Sequence, residues 1–160
     1  MFSRNNTRLH VSSESGQAAI EYALVLPVLL IVLLAIMDFG IVYNFWNNEQ
    51  ELSSATARYA AVGRNPGPGA TLQASMKSQI SSNALKNGGT SRVPEAAEIC
   101  ISFPDGRGIG KRVVVSVSTD YHWIPFVPYL GDRLPVHISG KATMRQETTP
   151  STTAVPESCE

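Results

Sequence analysis

Residues 16–46 read GQAAIEYALVLPVLLIVLLAIMDFGIVYNFW, and this stretch decides the fold of the chain. Sixteen residues without a charge separate Glu21 from Asp38, and the apolar run resumes after Asp38. At about 1.5 Å per residue, the 24 residues from 23 to 46 form a helix of roughly 36 Å. Because the hydrocarbon core of a bilayer is about 30 Å thick, the stretch predicts a membrane-spanning helix, with the lipid bilayer as its first partner.

Length and charge limit what the rest of the chain does. The 160 residues leave room, beside such a helix, for one small domain of about a hundred residues. The formal net charge is zero, so no overall basicity indicates a nucleic-acid partner.

The charges that flank the apolar run predict its orientation. Arg4 and Arg8 precede it, with Glu14 as the acid of that segment, whereas the first charges beyond it are Glu49 and Glu51. Cationic flanks stay on the cytoplasmic face, so we expect a cytoplasmic N-terminus and an exported C-terminal domain. The run is too long for a conventional secretory signal, so removal by signal peptidase is not expected.

The start of the stretch resembles a known processing signal. Gly16 followed by QAAIEY and a long apolar helix looks like the class III signal of type IV pilins and pseudopilins, and residues 18–40 are similar to the opening of TadE-like proteins of the tight-adherence (Flp) pilus system. The resemblance implies that a prepilin peptidase removes residues 1–16, so that Gln17 begins the mature chain and Glu21 is its fifth residue. Tyr22 departs from it, because Glu-Tyr is the pair of major Flp pilins and Glu-Phe is commoner in TadE-like proteins.

Chain length favours the minor component, since Flp pilins end soon after the helix and this chain continues. The resemblance therefore implies a minor pilin or pseudopilin of a bacterial inner membrane, acting in assembly or initiation of a Flp-type pilus for adhesion. Its place at the tip of the pilus, along the shaft or at the base stays open. Prepilin peptidase, other pilin subunits and the membrane platform are the implied partners. The alternative is an uncleaved single-pass anchor that carries an extracytoplasmic binding domain.

Two acids in the apolar helix are candidate assembly residues, together with Tyr22. Cleavage after Gly16 creates a mostly cationic α-amine at Gln17, with which Glu21 of a neighbouring subunit would pair. Such a pair is worth more in apolar surroundings than in water. Asp38 either reaches the membrane interface or faces a partner helix.

The helix is predicted to leave the membrane and continue to residue 62, so that residues 17–62 form one long helix. Four residues at helical spacing define its predicted apolar face: Leu52, Ala55, Tyr59 and Val62. Glycines and prolines then mark residues 63–70 as a linker. Residues 71–86 predict an amphipathic helix with Thr71 as N-cap and a stripe formed by Leu72, Met76, Ile80 and Leu85.

The remainder predicts a short antiparallel sheet. Alternating patterns mark strands at residues 98–103 and 112–119, joined by a turn at 104–110, and a third strand at 135–145. Residues 71–147 are thus expected to form an exported α+β domain with one helix packed on the sheet, followed by a Thr/Ser/Pro-rich tail at 148–160. The GRGIG motif of the turn joins two strands and precedes no helix, so it is not expected to bind phosphate.

Between the last two strands, residues 121–134 contain prolines that interrupt both a helix pattern and a strand pattern. Trp123 and Phe126 lie in this stretch, and they either cap the core or form an exposed loop for partner contact.

Cys100 and Cys159 are the two cysteines of the chain, and in an exported domain they predict a disulfide. It would close a loop of about 60 residues and contribute about 4 kcal/mol by the chain-entropy estimate. No histidine or cysteine spacing indicates a metal site, no residue pattern indicates a cofactor, and no nucleophile motif indicates an enzyme.

Overall fold

The chain has the predicted α+β fold. The computed structural model describes residues 14–122 and 135–160. The elements follow in the order α1 (Glu14–Ala61), α2 (Leu72–Gln79), α3 (Asn83–Asn87), β1 (Glu98–Ser102), β2 (Arg112–His122) and β3 (Pro135–Arg145). The chain divides into two compact units, Met1–Met37 and Asp38–Glu160.

In the N-terminal unit, the described residues belong to α1 and expose almost every side chain. Among residues 16–37, Leu34 alone is partly buried. A soluble protein rarely exposes such a continuous apolar surface, and α1 is long and apolar enough to cross a membrane. Residues 17–37 measure about 32 Å at about 1.5 Å per residue, close to the thickness of a hydrocarbon core.

One side of the second part of the apolar run packs within the C-terminal unit, and the membrane span predicted for residues 23–46 stays a prediction. Asp38 is only 3% exposed. Apolar residues of α1 pack there against a small core cluster: Ile41, Val42 and Phe45 contact the group of Val93, Tyr121 and Ile138. The part of α1 that is apolar and exposed on every side is therefore residues 17–37, because beyond it one side of the helix packs on the domain core, while Phe39, Tyr43 and Trp46 stay exposed.

The buried face of α1 is narrow and recurs every three or four residues. Its central row comprises Asp38, Val42, Phe45, Glu49, Ser53, Thr56 and Ala60, of which Val42 and Phe45 are partly buried, and Ala57 and Ala61 are buried beside it. The glycine of β3, Gly140, lies directly against it, since a Cβ at that position would be 2.5 Å from the carbonyl carbon and oxygen of Glu49. The backbones of α1 and β3 thus meet without a side chain between them.

This face differs from the predicted one. Leu52 and Ala55 are half-buried at the edge of the core, and Tyr59 is 36% exposed. The residues that contact the sheet lie one position away, about 100° around the helix. Small side chains are preferred there because a bulky one would hold the helix away from Gly140.

The sheet has the strand order β1-β2-β3 and is antiparallel throughout. The predicted hairpin is present, with Cys100 opposite Ser116 in its register. Alternate residues of β2 are buried, among them Val113, Val115 and Val117. The strand continues to His122, beyond its predicted end at residue 119, and this extension brings Tyr121 into the core.

The single helix predicted for residues 71–86 is two short helices. Thr71 caps α2 as predicted, accepting a hydrogen bond from the backbone N–H of Ala74. In one continuous helix, Met76 and Leu85 would lie on opposite faces, because nine residues turn through about 900°. The break between α2 and α3 lets both side chains enter the core, where each is at most 3% exposed.

The residues predicted as a tail complete the fold. Val155 is fully buried, and the backbone of Leu72 donates a hydrogen bond to the carbonyl of Ala154. Residues 158–160 pair with the free edge of β1, where Ile99 and Glu160 exchange two backbone hydrogen bonds of 2.8 and 3.1 Å. Val155 had no periodic apolar neighbours in the sequence, so its burial was not foreseen.

We expect Gly140→Ala to destabilise the C-terminal unit, because the added methyl group would overlap the backbone of α1 and force it off the sheet. Overpacking of this kind costs about 1–3 kcal/mol. The measurement is the unfolding of the full chain in detergent micelles, followed by near-UV circular dichroism.

Gly40→Ala is the matched control, since Gly40 lies in α1 and has open space around its Cβ position. This variant should be as stable as the original chain or more stable by up to about 1 kcal/mol. Equal stability of the two variants would contradict the direct contact between α1 and β3.

Candidate functional site

The predicted processing segment lies in the first turns of α1 and is exposed. Gly16, Gln17, Glu21 and Tyr22 all face away from other parts of the described chain, and no atom lies within 4 Å of a Cβ built on Gly16. The Gln17 side-chain amide donates a hydrogen bond of 3.3 Å to the Glu21 carboxylate, four residues along the helix. The helix therefore places these two residues on one face.

Asp38 does not belong to that cluster and has a partner in its own chain. Its Oδ1 lies 2.6 Å from Nη1 of Arg92, and the Tyr121 hydroxyl donates a hydrogen bond of 3.4 Å to the same oxygen. Arg92 in turn donates a 3.0 Å hydrogen bond to the Tyr121 hydroxyl oxygen. This cluster ties the start of the buried face of α1 to the end of β2.

The electrostatics of the cluster follow from its burial. The Asp38 side chain is 4% exposed and that of Arg92 is 29% exposed, so the pair is screened from water mainly on the carboxylate side. Burial raises the pKa of the Tyr121 phenol, which therefore stays protonated and donates to Asp38. A partner helix is therefore not needed to neutralise Asp38. The role of Asp38 in assembly stays a prediction.

Glu49 is the second acid on the buried face of α1. The residue is fully buried, and neither carboxylate oxygen has a hydrogen-bond partner. Burial raises the pKa of its carboxyl group from an ordinary value of 4.5 to about 8. An acid buried without a partner is costly when ionised, so Glu49 is mostly protonated at neutral pH.

The glycine-rich turn between β1 and β2 is filled by a side chain of the protein itself. The buried amide of Gln146 donates hydrogen bonds to the carbonyls of Gly106 and Arg112 and accepts one from the N–H of Gly108. These contacts give the turn a structural role, and the backbone N–H of Gly108 is already used.

The two cysteines form the predicted disulfide, Cys100–Cys159. It joins β1 to the segment that pairs with its edge. A carboxylate oxygen of Glu98 lies within 4.8 Å of both sulfurs, but these sulfurs are bonded to each other and are not thiolate ligands. Trp123 and Phe126, predicted as partner contacts, lie outside the described residues.

With this geometry established, comparison with known proteins adds one finding. A family model described as TadE-like protein matches residues 16–58. Residues 16–58 are TadE-like. The match confirms the resemblance drawn from the sequence, and neither the curated proteins nor the solved structures include a match to the chain.

The TadE-like segment contains both the processing residues and the two buried acids, Asp38 and Glu49, but ends before the sheet begins. The partners of Asp38 were missed in the sequence. Arg92 stands in an irregular stretch without periodic pattern, and Tyr121 was assigned to a loop. The signal in the sequence for the burial of Glu49 is its spacing. Glu49 follows Phe45 by four residues and Asp38 by eleven, which places all three on one face of the helix.

We expect Asp38→Asn to destabilise the chain by about 3–5 kcal/mol, because it removes one member of a buried ion pair and leaves the Arg92 guanidinium without its counter-charge. The partial exposure of Arg92 places the expected loss toward the lower end. Thermal unfolding of the full chain in detergent micelles measures this.

Asp105→Asn provides the comparison, since the Asp105–Arg112 pair is similarly short, at 2.7 Å, but both partners are exposed. Water and salt screen such a pair, so this variant should unfold almost like the original chain. A loss as small for Asp38→Asn as for Asp105→Asn would rule out a stabilising role for the buried cluster.

We also expect the stability of the chain to fall as pH rises toward 8. Because the pKa of Glu49 is raised to about 8 in the folded state, the folded chain holds this proton more tightly than the unfolded chain. The free energy of unfolding should drop between about pH 4.5 and pH 8, by at most about 5 kcal/mol.

Glu49→Gln should remove most of this pH dependence, and its stability should exceed that of the original chain above pH 8. Glu51→Gln, which changes an exposed neighbouring acid, should retain the fall. Unfolding of all three chains at pH 5, 7 and 9 measures the effect, and parallel curves for the original chain and Glu49→Gln would contradict the assignment.

Proposed function

We propose that the chain is a minor pilin or pseudopilin that prepilin peptidase cleaves after Gly16, and that it acts in assembly or initiation of a tight-adherence (Flp-type) pilus for surface adhesion. The observation that carries this proposal is the TadE-like match, which begins at residue 16 and covers the apolar helix.

The exposure of the N-terminal unit supports a role in which that unit packs with other helices. Residues 17–37 present apolar side chains on every side of α1, so they are equally suited to lipid and to the helices of neighbouring subunits. A transfer between the two surroundings would cost little, because both are apolar. The same helix would thus serve as anchor and as filament core.

Glu21 supplies a specific contact on that apolar surface. It lies four residues after Gln17 and contacts that residue's side chain, so its carboxylate is close to the position where cleavage would create an amine. In the assembled state, the amine of one subunit would pair with Glu21 of its neighbour. Since an unpaired carboxylate resists burial in an apolar environment, this pair would select one helix register over others.

The remaining parts of the proposal concern location and partners. The basic leader favours a single-pass protein of the bacterial inner membrane with its N-terminus in the cytoplasm and its C-terminal unit outside. An exported domain agrees with the Cys100–Cys159 disulfide, which needs an oxidising compartment. We propose prepilin peptidase, other pilin subunits and the pilus membrane platform as partners, and a structural role without catalysis.

The experiment that tests this proposal is the mass of the N-terminal peptide from chain recovered from membranes of cells with active prepilin peptidase. The original chain should begin at Gln17. The Gly16→Leu chain should keep residues 1–16, because the resemblance implies that the peptidase needs a small residue before the cleaved bond.

Glu21→Ala serves as the matched variant, since it changes the same exposed part of α1. It should begin at Gln17 and remain in the membrane, while pili seen by electron microscopy should become at least tenfold fewer if Glu21 sets the helix register. An original chain that keeps residues 1–16 would instead indicate the uncleaved anchor with an extracytoplasmic binding domain. Normal piliation by Glu21→Ala would refute the pairing role alone.

A further inference from the structure

A cleft of about 200 Å³ opens in the C-terminal unit, where α1 passes the α2–α3 region and the sheet. Its apolar lining includes Leu52, Ala55, Met76 and Leu85, while Glu49 and Glu51 contribute its acidic side. Every residue that lines the cleft belongs to the part of the chain described by the structure.

The charge of the cleft has one sign. Glu49 and Glu51 come from α1, and the lining residues from α2, α3 and the sheet carry no ionisable side chain. On β3, the residue packed against Glu49 is Gly140, and its neighbour Lys141 is exposed. No cation of the lining therefore neutralises Glu49, and the cleft is complementary to a positive charge.

Glu49 differs from the other buried acid of α1 in having no partner. Asp38 accepts from both Arg92 and Tyr121, whereas both oxygens of Glu49 are buried without a hydrogen bond. A group buried in this way costs free energy that a ligand can recover. Because no hydrogen bond holds the carboxylate where it lies, turning it toward the cleft would break none.

The size of the cleft restricts the ligand. Small-molecule sites usually measure about 300–1,000 Å³, and a water molecule occupies about 30 Å³. A space of about 200 Å³ lies between these, at the scale of one long side chain. A lysine combines a four-carbon stem, which suits the apolar lining, with a compact ammonium group, which suits a single carboxylate.

We propose that this cleft binds a lysine side chain of a partner protein, with the ammonium group paired to Glu49 and the stem against the apolar lining. The identification of the partner as another pilus subunit rests on the proposed function. The chemistry of the cleft is independent of that function. Since the empty cleft favours protonated Glu49, binding must release that proton. Affinity should therefore rise about tenfold per pH unit between pH 6 and pH 8, while the amine stays charged.

The test uses the full chain in detergent micelles with ¹³C-labelled glutamate carboxyl groups, observed by NMR. The probe is n-butylammonium, which matches the lysine side chain, and n-butanol is its uncharged counterpart. The resonance absent from Glu49→Gln identifies Glu49. We expect a saturable shift of that resonance with n-butylammonium, tighter at pH 8 than at pH 6, and no comparable shift with n-butanol.

Variants separate the cleft from general charge effects, with ligand resonances used to measure binding. Glu49→Gln should weaken binding at least tenfold, whereas Glu147→Gln, which removes an exposed acid that does not line the cleft, should change it less than threefold. Ala55→Met should also weaken binding, because it fills the cleft and leaves both acids intact. Near-UV circular dichroism establishes that each variant is folded.

The proposal is overturned if n-butylammonium gives no saturable shift up to 200 mM, if n-butanol binds equally well, or if Glu49→Gln binds as tightly as the original chain. None of these readings depends on cleavage or piliation. A chain that fails the processing experiment can therefore still pass this one, and the reverse also holds.

Discussion

The direct backbone contact between α1 and β3 is the constraint on which the C-terminal unit depends. Gly140 leaves no room for a side chain, so α1 approaches the sheet more closely than a Leu-rich interface would allow. This proximity explains why serine, threonine and alanine occupy the buried face of the helix after Glu49. It also explains why the Glu49 carboxylate, which lies on that face without a partner, is hidden from water.

The fold was largely predictable from local patterns. Long apolar and alternating runs revealed α1 and all three strands, because each pattern matches the period of one element. The rotation of α1 on the sheet was not predictable from hydrophobicity, since close approach selected Ser53 and Ala60 over Leu52 and Tyr59. The division of α2 from α3 also depended on tertiary packing, which required both Met76 and Leu85 to face the same core.

The candidate site was predictable where its chemistry is local in sequence. The disulfide followed from the presence of two cysteines in a domain expected to be exported, whereas processing at Gly16, Gln17 and Glu21, which lie within six residues, stays a prediction. The Asp38 cluster joins residues up to 83 positions apart, so no window of sequence contains it. Glu49 is the first charge beyond the apolar run in the sequence, and its burial depends on the packing of β3 against α1, which no local pattern shows.

The late position of residues 158–160 in the sequence has a consequence for the order in which the domain folds. These residues pair with β1, to which Cys159 is linked across 59 positions. Synthesis from the N-terminus produces β1 and its hairpin partner well before that segment. During this interval the outer edge of β1 has unpaired backbone groups, and such edges invite pairing with other chains. Closure of this edge therefore waits for residues 158–160, and the disulfide then links the two segments covalently.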